Sequence, residues 1–222
     1  MRKVTKLMTN PSIPCPPLAA TAAELGSRHP AKYRDCVPLP LRQFWLGPAS
    51  MPAEEGQAFV GAAEEGLSFY TCFADSDIFS QASADDQRLW TLGDVAEVFV
   101  KPGKERSDYW EVHLSPNGYK MDIHIPDRAR FIGGEVTWDQ VIAARSGVQT
   151  RTAEGPGQWT AELCIPWSAF GLEGRAAPGS VWQFAVCRYN YNGGLDNPEH
   201  SSTAHLSQVN FHRYEDFTDL VF

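Results

Sequence analysis

The chain has 222 residues, 43% of them hydrophobic, and a formal net charge of −8. Its 19 Lys and Arg residues are scattered without a basic stripe, which argues against nucleic acid or an anionic membrane as a main partner. No apolar run approaches the roughly 18 residues that would span a bilayer, and β domains of about 200–250 residues are commonly single, so one domain is expected.

The chain opens with "MRKVTKLMTNPSIPCPPLAATAAELG". Positive charge is present, but no continuous apolar h-region follows it, so no secretory signal is visible. The expectation is a soluble chain, cytoplasmic by default, or secreted or periplasmic if the N-terminus is truncated. Residues 1–40 are Pro-rich and read as an extended lead that drapes over a single domain at 41–222, with a short helical turn at "ATAAELG". The five cysteines form no CxxC, and Cys72, Cys164 and Cys187 sit inside apolar strand patterns, as buried reduced thiols do.

Strand signals follow. "QAFVGAAEEGLSFYTCFADS" reads as a hairpin turning at Glu64-Glu65-Gly66, with Leu67, Phe69, Thr71 and Phe73 on one face. "DIFSQASADDQRLW" is a polar loop that delivers Trp90 to the next strand. "DVAEVFVKPG", "DYWEVHLSPNG" and "YKMDIHIPD" are successive antiparallel strands, punctuated by Pro102-Gly103 and Pro116-Asn117-Gly118. "VIAARSGVQTRTAEGPGQWTAELCIPW" supplies two more strands around a Gly-Pro-Gly turn. "PWSAFGL" is a single helical turn between Pro166 and Gly171. "SVWQFAVCRYNYNGG" is a further strand, and "VNFHRYEDFTDLVF" closes the chain. Many strands with turns at short spacing and almost no helical periodicity predict an all-β antiparallel β-sandwich with short helical turns.

One strand is anomalous. In "WTLGDVAEVFV", Val95 and Phe99 share the face of Glu97, while Ala96, Val98 and Val100 occupy the other. A carboxylate in a strand clothed on both faces is costly unless paired or hydrogen-bonded. Glu97 therefore either closes an internal network or serves a ligand. On "YWEVHL", Trp110, Val112 and Leu114 read as core, and Tyr109, Glu111 and His113 form a polar-aromatic face that is either solvated sheet or one wall of a groove. Trp159, Trp167 and Trp182 also read as core.

Motifs for other chemistries are missing. There is no GxSxG elbow, no phosphate-binding glycine loop and no HExxH, and the six histidines lack metal-ligand spacing. Seven Trp and seven Tyr residues, several beside polar residues at strand ends, suit the apolar faces and hydroxyls of pyranose sugars.

The ordered segments "LWTLGDVAEVFV", "YWEVHLSPNG", "AELCIPWSAFGL", "CRYN" and "NFHRYEDFTDLVF" together resemble carbohydrate-binding module family 9 and its DOMON-like relatives. The resemblance covers about Phe69 to Phe222. It implies a non-catalytic module for glucan- or xylan-type sugars, accessory to glycoside hydrolysis, with sugar held between aromatic rings. Transferred residue by residue, it places Trp90 as one stacking ring, Asp94 and Glu97 on the following Asp-x-x-Glu strand, and Phe211 or His212 at the second ring. Glu111 and His113 occupy positions where sugar-clamping members use polar residues such as Arg and Asn, and Arg188 and Asn190 are further polar candidates. Arg188 is equally a structural partner for Glu97. The resemblance also implies structural calcium, with Asp75, Asp77, Asp85 and Asp86 as possible oxygen donors. Two alternatives stand beside sugar binding. One is a haem-binding electron-transfer domain, with axial ligands among His113, Met121 and His124. The other is hydrolysis by the domain itself, which requires an acid and a nucleophile in one cleft.

Overall fold

The computed structural model describes residues 11–142 and 144–222; the first ten residues of the Pro-rich lead lie outside the described residues. The chain folds into two facing sheets. The larger orders β1 (Ser12–Pro14), β12 (Thr218–Val221), β10 (Val181–Asn190), β5 (Val95–Lys101), β6 (Tyr109–Leu114) and β7 (Lys120–Ile125), with β11 (Glu199–Ser202) on the second half of β10. The smaller orders β2 (Leu39–Pro40), β3 (Gly56–Ala62), β4 (Gly66–Ala74), β9 (Gln158–Pro166) and β8 (Gln149–Gly155). Pairings between these strands are antiparallel except β1 with β12. The fold class is the expected sandwich.

Alternation places the residues as the sequence indicated. Ala96, Val98 and Val100 of β5 and Trp110, Val112 and Leu114 of β6 enter the core between the sheets, together with Trp159, Trp167 and Trp182. Each large apolar side chain fully buried there contributes about 1.5–3 kcal/mol. Pro166 precedes the 3-10 turn Trp167–Phe170, and Gly171, at φ 77°, ends it in the left-handed region. All five cysteines are free and buried.

Val95, Phe99, Tyr109, Met121, Ile123 and Cys187 face away from that core, yet they are buried too. Loops and two short helices, α1 (Arg128–Ile132) and α2 (Trp138–Val141), cover this outer face. Neither helix was expected from periodicity, because four or five residues are too few to show one. Their signals are local: Asp127 accepts the Arg130 N–H at the start of α1, and the Gln140 side chain accepts the Thr137 N–H at the start of α2.

The N-terminal segment is stitched into both sheets. β1 lines the edge of the larger sheet, and Leu18 N–H donates to Ala62 O of the smaller. Tyr33 docks on the outer face of the smaller sheet, where its hydroxyl reaches Ser68 and Glu162. "ATAAELG" does not form the expected helical turn. Ala23 packs in the cluster around Tyr33 and Tyr70, and Gly26 N–H donates to Thr160 Oγ1, so contacts with the sheet hold this stretch open. Among the described residues, no helix is long and apolar enough to cross a membrane.

Candidate functional site

The outer face of the larger sheet carries a cavity of about 470 Å³, within the usual range for small-ligand pockets. Its floor is strand. The register puts Glu97 opposite His113, and Phe99 opposite Glu111, so all four side chains share one face. The rest of the lining is delivered by turns and loops, including Trp90, Trp138, Phe211 and His212.

Trp90 sits in a 3-10 turn, Leu89–Thr91, just before β5, and its position is fixed by Asp94. Asp94 Oδ2 accepts the Phe79 N–H and Oδ1 the Tyr191 N–H, each at 2.7 Å, and the Tyr191 hydroxyl donates to the Trp90 carbonyl. Gly93 between them is at φ 138°, and a Cβ there would lie 2.3 Å from the Phe79 carbonyl oxygen, so another residue would force the loop away. α2 adds Trp138, whose ring centroid is 5.1 Å from that of Trp90. A second aromatic group joins Phe211 to Tyr189 and His200 at 5.5 and 5.7 Å.

The polar floor is a chain of acids and imidazoles. His113 Nδ1 lies 3.2 Å from Glu97 Oε1 and its Nε2 3.4 Å from Glu111 Oε2; His212 Nδ1 lies 2.9 Å from Glu111 Oε1 and 2.8 Å from the Tyr109 hydroxyl. Both His113 nitrogens and Glu111 Oε1 are buried without a well-aligned hydrogen bond, so these are charge contacts with residual bonding capacity. Burial, reinforced by the like charge of Glu111 and opposed by His113, raises the Glu97 carboxyl to about 7. Burial would also raise Glu111, but His212 and His113 hold it down at about 2. Burial works against a charge on His212, and Glu111, with Glu97 behind it, outweighs that and raises its pKa. The two carboxyls are thus driven apart.

Six of the expected site residues meet here: Trp90, Glu97, Glu111, His113, Phe211 and His212. Three do not. Asp94 is occupied by the two backbone N–H groups that anchor the loop. Arg188 points between the sheets, where it donates to Asp75 and to the Ala74 carbonyl, each at 2.9 Å, and to Asn190. Asn190 in turn donates to Glu54 Oε2. Alternation explains the separation: Cys187, not Arg188, is the β10 partner of Glu97, and the next residue faces the other way. Trp138 escaped the sequence reading; Thr137-x-x-Gln140, with the capping bond described above, was the signal that could have found it.

The carboxylates expected as calcium donors have protein partners, and the expected haem ligands do not share one face. Asp75 binds Arg188, Asp77 accepts the Gly193 N–H, and Asp85 accepts the Lys120 N–H. Among the described residues, no group of three or more His, Cys, Asp or Glu side chains is placed to hold a metal ion. Met121 neighbours His113 across β6 and β7, but His124 is on the opposite face, stacked on Trp110 and bonded to Asp108. His113 is already flanked by two carboxylates, and nothing supports a haem pocket.

A scan against protein-family models gives no match, and a search of curated proteins by sequence gives none. Solved structures do match. A presumptive carbohydrate-binding protein from Bacteroides uniformis superimposes with a TM-score of 0.71 at 17% identity, covering 96% of this chain and 100% of that one. A carbohydrate-binding module of family 9 from Caldicellulosiruptor kristjanssonii matches in its cellotriose complex with TM-score 0.64 and 12% identity, covering 95% of this chain and 92% of that one. Its glucose complex gives 0.65 and 11%, covering 95% and 94%. The likeness therefore extends beyond Phe69–Phe222 into the N-terminal segment. Two sheets, their strand pairing and this near-complete superposition give the chain the β-sandwich fold of the family 9 carbohydrate-binding modules.

Proposed function

We propose that this chain is a non-catalytic saccharide-binding module whose sugar site is the cavity over β5 and β6. The observation that carries the reading is the lining itself: the rings of Trp90, Trp138 and Phe211 surround a floor of Glu97, Glu111 and His113. Flat rings cover the apolar face of a pyranose, and acceptors on the floor bind its hydroxyl hydrogens. The fold shared with modules solved with cellotriose and glucose supports glucan-type sugars as ligands; xylan-type sugars and a role beside a glycoside hydrolase are part of the proposal. Calorimetry with glucose, cellotriose and xylotriose, repeated with Trp90→Ala, tests this. Binding weakened about tenfold or more by that change is expected, because a stacked ring contributes on the order of 1–2 kcal/mol. A broad panel without binding, or binding indifferent to Trp90, overturns it.

One observation favours a hydrolytic reading: two carboxyls in one cavity with pKa values near 7 and near 2 match an acid and its ionised partner. Against it, Glu111 is engaged by two histidines. Hydrolysis predicts release of reducing sugar from an oligosaccharide, abolished in Glu97→Gln.

A further inference from the structure

The cavity combines aromatic surface with a floor that carries two carboxylates, Glu97 and Glu111, beside the imidazoles of His113 and His212. Glu97 and Glu111 both reach it, and among the described residues no Lys or Arg side chain lines it. Among the described residues the ion-pair partners of the two carboxylates are imidazoles, and the Glu97 side chain is only 4% exposed, with the off-line contact to His113 as its one ion pair there. A buried carboxylate with unused lone pairs is unfavourable until a donor reaches it. The other polar side chains of the lining, Tyr189, His200, Gln208 and Asn210, carry no ammonium or guanidinium.

We propose that the saccharide this cavity selects bears a free amine, a 2-amino-2-deoxy pyranose of the kind found in a deacetylated amino-glucan, with its ammonium directed to Glu97 beside the Trp90 and Trp138 rings. The inference rests on the saccharide reading above and narrows it. An ammonium has three donors and no acceptor, which complements the Glu97 carboxylate, whose one ion pair among the described residues is off-line. The faces of Trp90 and Trp138 attract a cation as well as a sugar ring. A uronic acid or a sulfated sugar would bring a second negative charge against Glu97 and Glu111 and is disfavoured. A neutral hexose would leave Glu97 with only its off-line contact to His113.

Proton linkage supplies an independent readout. Burial holds Glu97 near the midpoint of its titration at neutral pH, so an arriving ammonium would displace its proton. The groups that act on Glu97 are His113 and Glu111 from β6, Cys187 and Tyr189 from β10, Tyr191 just beyond it, and His212 from the covering loop. Of these, Glu111 stays ionised down to about 2 and the thiol and phenols are pushed upward. Amine binding should therefore release protons, whereas glucose binding should release far fewer.

The test is calorimetry on the whole chain at low salt with glucosamine, N-acetylglucosamine, glucose and glucuronate, in buffers of different ionisation enthalpy. Glucosamine is expected to bind about tenfold tighter than glucose, N-acetylglucosamine no tighter than glucose, and glucuronate weakest. In Glu97→Gln the ratio of glucosamine to glucose affinity should fall towards one. Should that variant fail to fold, the wild-type protein still decides: the amine preference and proton release should shrink at about pH 5, where Glu97 is protonated. Equal affinity for glucosamine and glucose, with binding that depends on Trp90, overturns the amine inference and leaves the saccharide reading intact. An amine preference that is indifferent to Glu97 and to pH also overturns it. Failure of every sugar to bind removes both.

Discussion

Strand β10 and its neighbours support two buried clusters of charge on opposite faces of one sheet. Between the sheets, Arg188 is 1% exposed and bonds Asp75, Asn190 and the Ala74 carbonyl, with Nε alone lacking a partner. On the outer face, Glu97, His113 and Glu111 are nearly as deeply enclosed, with His212 half-buried above them, but they touch without well-aligned bonds. The first cluster is closed on itself; the second opens on a cavity. A satisfied buried network stabilises and specifies a fold, whereas an unsatisfied one is tolerated where a ligand completes it. The same sheet thus separates a structural charge from a functional one.

Breaking the first cluster should have the largest effect. Arg188→Met leaves Asp75, 2% exposed, without its cation, and removing one member of a buried pair costs about 3–5 kcal/mol. Urea unfolding should show that loss, and a midpoint shift below about 1 kcal/mol would mean that Asp75 finds another partner. The second cluster should answer to pH. Glu97 is raised from 4.5 to about 7, so the folded state holds more protons than the unfolded one across that window, and stability falls as pH rises through it. Glu111 is lowered from 4.5 to about 2 and acts in the other direction: its stabilisation is present above 4.5 and is lost as pH falls towards 2. Glu97→Gln should therefore gain stability over the wild type between pH 4.5 and 7, on the order of 1.4 kcal/mol for each unit of offset. Equal slopes for the two proteins would show that Glu97 titrates as a solvated acid.

Which of these regions could be read in the sequence depends on how local the information is. Alternation along β5 and β6 was enough to put Glu97, Glu111 and His113 on one face, and Val98 and Val112 on the other, because side-chain direction in a strand has a period of two. The turns at Pro102-Gly103 and Pro116-Asn117-Gly118 were legible for a similar reason: Gly103 and Gly118 sit at φ 134° and 90°, where other residues are strained. Arg188 was misplaced because the face of β10 follows from its register with β5, and register is a non-local property. The outer face read as potentially solvated because its cover comes from loops with no period. Trp138 is the sharpest loss: a four-residue helix leaves only its capping residues as a signal, while the position of its ring depends on tertiary packing against Trp90 and Phe131.

Asp94 tests the border between the two regions, since it lies in neither cluster yet holds the loop that carries Trp90. Replacing it with Ala strands two backbone N–H groups now bonded at 2.7 Å, and each unsatisfied buried donor costs about 1–3 kcal/mol. Sugar affinity should fall along with stability, because Trp90 loses its fixed position. Asp94→Asn keeps one acceptor and should recover part of both losses. Recovery of stability without affinity would mean that the carboxylate itself is needed for the ring's placement.

Trp138→Ala should give the smallest change in stability and the cleanest effect on binding. Its ring is only part-buried and leans on Trp90, Phe131 and His212, so its removal should cost about 1 kcal/mol of stability or less. If Trp90 and Trp138 form one ring surface for the ligand, the single substitutions should each weaken binding, and the double variant should lose less than the sum of the two, since each ring partly positions the other. Strict additivity in calorimetry would instead show two independent contacts. Loss of affinity in Trp90→Ala alone would reduce Trp138 to a brace, and would leave the carboxylate floor with a single platform above it.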